Sequence, residues 1–303
     1  AFHKIPPPGV LLPALAVAGG IVGLLVRRVY LATGFEVGTG LPIPHAPALW
    51  AMALVAAAVV VVLAVLSAGK HRNFDRCYAE AFLPRSPLGL TFQLAGVVLL
   101  AIGGFLALAH WVQSPVTDLG QRTVSIAWAG LGILALLAAA GIYFVTLKMR
   151  RGQPILTAWV TLPGFAGCLW IMSNYYESWA ANPVLGQYLI PMLGALLSML
   201  ACFFMGGFAF EKGRVTVTLT LALAGGALNL MSLADGLPLA DTALYLGMTF
   251  YLLASASALA DSDARPEAAP TCSAHCETCA GCAPMGTLPP KEEKKKKSGG
   301  AAS

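Results

Sequence analysis

Charge is what this chain has least of: Asp, Glu, Lys and Arg make up 11% of its 303 residues, against roughly 25% in an ordinary soluble domain. So little charge cannot clothe a water-exposed surface, and a soluble globule is excluded. Catalytic signatures are missing too. There is no G-x-x-x-x-G-K-[ST], G-x-G-x-x-G, H-E-x-x-H or G-x-S-x-G, so the common nucleotide-binding, zinc-protease and serine-hydrolase readings have no support. His110 has no second His three or four residues away, which argues against haem or metal ligation from its helix. No carboxylate falls deep in an apolar run, as an intramembrane aspartyl protease would need.

What the chain has instead is apolar length: 57% hydrophobic residues and a mean hydropathy of +0.74. Eight runs read as transmembrane helices: Val10 to Tyr30, Leu49 to Leu66, Leu88 to Ala109, Val124 to Leu147, Ile155 to Met172, Tyr188 to Phe210, Val215 to Ala234 and Leu237 to Leu259. Each is close to the ~20 residues that cross ~30 Å of hydrocarbon. Helices are required because every backbone polar group must be satisfied within its own segment. The expected fold is therefore all-α, a polytopic bundle over residues 1–260 followed by a flexible tail over 261–303.

The basic residues orient it. Lys4, the Lys70 to Arg85 segment, Lys148 to Arg151, Lys212 with Arg214, and the tail together hold sixteen of the nineteen Lys and Arg; the alternate face holds Arg27, Arg28 and Arg122. Basic residues resist translocation, so the rich face is expected to be cytoplasmic, with both termini inside a bacterial cytoplasmic membrane. The first run is long enough to remain as an anchor rather than a cleaved signal. Trp50, Trp111, Trp128, Trp170 and Trp179 lie near run ends, where headgroup placement is expected. Gly19 with Gly23, and Gly194 with Ser198, give small-xxx-small faces for close helix contact.

Arg27 and Arg28 stand on the face that should lack positive charge. Glu36, Glu177, Asp235 and Asp241 are the available counterions, and Asn229 is the most embedded polar residue nearby. Ionisable groups in spans mark functional sites by default, so Arg27, Arg28, Glu177, Asn229 and Asp235 form a candidate ligand site for an anionic solute or lipid headgroup. The same side chains can instead snorkel to the headgroups. Asn229 and Gln93 equally fit interhelical hydrogen bonding.

The tail carries Cys272, Cys276, Cys279 and Cys282 in the order C-x3-C-x2-C-x2-C, with His275 among them. In a reducing cytoplasm such a set points to metal rather than disulfides. Its compactness suits an iron–sulfur cluster or Cu(I) better than the looped spacing of structural zinc sites. A disordered tail with reduced thiols is the plain alternative. Lys294 to Lys297 can hold the tail to an anionic inner leaflet. The lipid bilayer is the expected partner; the lysine run lacks the aromatics and folded module of a nucleic-acid binder.

Tyr176, Trp179, Asn182, Pro183, Leu185 and Tyr188 form Y-x-x-W-x-x-[DN]-P-x-L-x-x-Y. This resembles a pattern in a group of bacterial eight-span membrane proteins with no assigned activity, as do the stretches 31–35 and 44–47. The resemblance covers most of the bundle and not the tail, and implies topology alone. Glu177 stands where that pattern often carries Arg.

On the metal reading, full-length protein purified anaerobically should carry stoichiometric metal and a visible absorption, both lost when Cys272, Cys276, Cys279 and Cys282 become Ser. Metal-free protein in both preparations would end that reading.

Overall fold

The computed structural model describes residues 8–36, 41–43, 45–68, 78–113, 119–179, 185–210 and 212–264. Among them the regular elements are helices: α1 Pro8–Thr33, α2 Pro47–Ala68, the short α3 Tyr78–Phe82, α4 Pro87–Gln113, α5 Leu119–Arg150, α6 Thr157–Asn174, α7 Leu185–Gly207, α8 Val215–Ser232 and α9 Leu239–Asp263. A π-helical turn, Tyr175–Trp179, extends α6, and 3-10 turns follow α7 and α8.

Seven of these helices, α1, α2, α4, α5, α7, α8 and α9, are long and apolar enough to cross a membrane. The fifth run expected from sequence is the 18-residue α6, whose apolar character is diluted by Pro163 and Asn174.

Among these seven helices hydropathy and burial run in opposite directions. The most apolar window, in α2 at 2.9, is 11% buried, whereas the least apolar, in α9 at 1.5, is 83% buried. A peripheral helix meets lipid around most of its circumference and must be apolar all round. A central helix meets only protein, so α9 can carry Asp241, Thr249, Ser255 and Ser262 as buried side chains, each with partners that hydrocarbon could not supply.

Small residues bring the central helices together. At the α4–α9 crossing a Cβ on Gly96 would lie 2.9 Å from the Tyr251 nitrogen and 3.0 Å from the Gly247 oxygen, and one on Gly247 would lie 2.8 Å from the Leu100 nitrogen. The obstacles are backbone atoms, which no rotamer change can move. Of the sequence motif in α1, Gly19 faces Val59 of α2 and Gly23 faces Met231 of α8. Two buried hydrogen bonds add to these contacts: Gln93 donates to Thr146 across α4 and α5 at 3.0 Å, and Asn229 donates to Ser198 across α8 and α7 at 2.8 Å.

One end of the bundle gathers the first turn of α1, the last turn of α9 and α3. The Gly9 N–H donates to Asp261 Oδ1 at 3.1 Å, Ser262 Oγ donates to the Glu80 carbonyl at 2.8 Å, and Phe82 meets Phe208 edge-on at 5.0 Å. These partners let α9 run on to Asp263, past the point where the composition turns acidic.

The tryptophans depart from the expected headgroup belt. Trp50 and Trp111 are exposed, but Trp128 and Trp170 are buried inside the bundle; the Trp179 side chain lies outside the described residues. Trp170 leaves the belt because a buried carboxylate accepts its indole N–H, as described below.

Gly96→Ala and Gly247→Ala should each destabilise the detergent-solubilised protein by about 1–3 kcal/mol through overpacking. Gly164→Ala, whose Cβ would meet its nearest neighbour at 3.7 Å, should change little. Thermal unfolding of the three variants checks this.

Candidate functional site

At the opposite end of the bundle the polar residues sort into separate units. Successive helical positions point about 100° apart, so Arg27 and Arg28 cannot share an environment: Arg27 is 1% exposed while Arg28 is exposed. Arg27 Nε donates to Asp235 Oδ1 at 2.7 Å and Nη2 to Oδ2 at 3.2 Å. This is the two-pronged geometry a planar guanidinium offers a carboxylate. Nη2 also donates to the Gln187 carbonyl, and the guanidinium lies 5.5 Å from the Tyr30 ring centre.

The Gln187 carbonyl is available for a reason legible in sequence. Four residues later α7 has Pro191, which has no N–H to return to it. In a membrane bundle that orphaned acceptor needs another donor, and Arg27 supplies one. The Pro191 carbonyl in turn accepts from Tyr245 Oη at 2.9 Å. One proline thus connects α7 to both α1 and α9.

The turn between α8 and α9 sets the acids. Asp235 ends a 3-10 turn; Gly236 then takes the left-handed conformation at φ 65°, the usual helix terminator, and Asp241 follows in the first turn of α9. Asp241 is 2% exposed. Its Oδ1 accepts from Trp170 Nε1 at 2.9 Å and from Asn174 Nδ2 at 3.1 Å, both neutral donors. Among the described residues it has no ion-pair partner. Trp170 packs on Tyr245 with ring centres 4.3 Å apart, closing the carboxylate from the bundle core.

The π-helical turn carries Glu177 away from the arginines to His110, whose Nε2 is 3.2 Å from Glu177 Oε1; the two side chains are 45% and 36% exposed. Both lie within electrostatic reach of Asp241. π-turns of this kind are frequent at functional sites.

Of the five sequence candidates, the fold brings Arg27 and Asp235 together. It leaves Arg28 exposed, pairs Glu177 with His110, and places Asn229 between α8 and α7. There Ser198 Oγ donates to the Gly194 carbonyl at 2.7 Å and so accepts from Asn229 Nδ2, leaving Asn229 Oδ1 buried without a donor among the described residues. In the sequence Asp241 is one of four available counterions, and nothing there singles out Trp170, Tyr245 or the Gln187 carbonyl as its neighbours or those of Arg27. The i, i+4 pair of Asp241 and Tyr245 and the position of Pro191 were the available signals. The four tail cysteines lie outside the described residues, and among those described no three His, Cys, Asp or Glu side chains gather as a metal site.

The class these features define is a multi-pass α-helical membrane protein. No protein-family model, curated protein or solved structure matches the chain.

Arg27→Ala should strand both a buried carboxylate and an orphaned carbonyl, costing about 3–5 kcal/mol and lowering membrane abundance. Arg28→Ala should leave stability within about 0.5 kcal/mol of the parent. Unfolding midpoints and membrane yields of the two variants distinguish the neighbouring arginines.

Proposed function

We propose that the chain is an eight-span protein of a bacterial cytoplasmic membrane, N-in and C-in, and that it carries a small cation, bound from the outer side at Asp241. An even number of crossings is supported by the contact between Gly9 and Asp261. A 3.1 Å hydrogen bond between the first turn of α1 and the last turn of α9 favours placing both at one membrane face. Seven crossings would separate them by ~30 Å, and reading α6 as the eighth avoids that. The positive-inside rule supports a cytoplasmic assignment for that face, and the resemblance to an eight-span bacterial group agrees with it.

The functional reading is carried by one observation: Asp241 is a buried carboxylate held only by neutral donors. A buried anion site would need an unpaired cation inside the bundle. Arg27 is already neutralised by Asp235 and Arg28 is exposed, which removes the basis for anion binding in the interior, and the titratable group left there is an acid. His110 and Glu177, both partly exposed, lie within electrostatic reach of it. A membrane-embedded acid so placed takes up and releases positive charge.

Purified protein should gain thermal stability with one of a panel of Na+, K+ and small alkylammonium ions, and Asp241→Asn should abolish the gain while unfolding near the parent temperature, because an Asn oxygen can accept the same two hydrogen bonds. Equal responses of parent and variant, or no response of the parent to any ion, would contradict the proposal.

A further inference from the structure

Far from the polar end, α6 and α7 diverge into a side-facing apolar groove of about 690 Å³, lined among others by Gly164, Phe165, Cys168, Met199 and Phe203, with Lys212 at one end. We propose that this groove holds one acyl chain of an anionic glycerophospholipid whose phosphate is bound by Lys212.

Three observations carry the assignment. First, the groove has the length of one leaflet. From Met199, beside Cys168, to Phe210 the chain climbs ~16 Å at the helical rise, about half of the ~30 Å hydrocarbon layer. An occupant anchored at Lys212 therefore reaches the bilayer midplane and stops.

Second, the recess is made by missing side chains. A Cβ on Gly164 would meet only ordinary contacts from 3.7 Å outward, and one on Gly206 would sit 3.4 Å from Thr161. These glycines are therefore not demanded by close helix packing, as Gly96 and Gly247 are. The space they leave is the groove itself, walled by the exposed rings of Phe165, Phe203 and Phe210.

Third, the charge fits. Lys212 and Arg214 are exposed, and neither makes an ion pair among the described residues. With Glu211 beside them in sequence, the segment keeps a net positive charge. Basic groups at the cytoplasmic edge of a cleft between spans are the expected receptor for an anionic headgroup. A zwitterionic lipid carries the same phosphate beside its own cation, which weakens the attraction to Lys212.

The test uses the whole protein in vesicles of equal phosphatidylglycerol and phosphatidylcholine, extracted gently, with retained lipid counted by native mass spectrometry. The parent should retain one phosphatidylglycerol per chain with a preference of about fivefold, the value of one cationic contact. Lys212→Gln should lose the preference and Lys212→Arg should keep it. A photoreactive acyl phosphatidylglycerol, which needs no variant, should label α6 and α7 at the groove. Equal retention of the two lipids by the parent, an unchanged preference in Lys212→Gln, or labelling spread over the exposed faces of α2 without enrichment at α6 and α7 would each overturn the assignment.

Discussion

The contact between Arg27, Asp235 and the Gln187 carbonyl is the constraint on which the polar end of the bundle depends. It ties α1 to the turn before α9 and to the start of α7. Its strength comes from what hydrocarbon denies each partner: an unpaired guanidinium, an unpaired carboxylate and a carbonyl orphaned by Pro191 would each be costly, and together they satisfy one another. Because Asp235 is committed to Arg27, the second acid of the same turn is left with neutral donors. The functional proposal for Asp241 follows from that division of charge.

The solvent imposes the wider architecture. With lipid rather than water outside, apolar residues distinguish surface from interior poorly, and polarity does so well. Among the seven helices apolar enough to cross, the least apolar, α9, is consequently the most buried, and α2, the most apolar, is the most exposed. The interior is held by close approach at glycine crossings and by scattered hydrogen bonds, as between Gln93 and Thr146, because burial of apolar surface gives helices no advantage over lipid.

Much of this was legible in the sequence, and the failures share a cause. All eight expected runs correspond to helices because hydropathy and helical length are local properties. The pairing of Arg27 with Asp235 could be narrowed to four acids but not chosen, since 208 positions separate the partners and only the α1–α8 packing brings them together. Trp170 misled because a tryptophan near a span end has two good homes, the headgroup layer and a buried acceptor, and periodicity does not reveal Asp241 across the bundle. Pro191 was readable as a broken hydrogen bond; its new donor was not. Glu177 was drawn to His110 by a π-turn that no residue pattern announces.

The polar end of the bundle stands on the energetic coupling of Arg27 to Asp235, which a double-mutant cycle with Arg27→Met and Asp235→Leu measures directly through unfolding in detergent. The structure predicts that each single change is strongly destabilising and that the double variant recovers much of the loss, with a coupling of about 2–3 kcal/mol. Additivity of the two changes to within about 0.5 kcal/mol would mean the charges are independently solvated, and the division of charge that isolates Asp241 would fall with it.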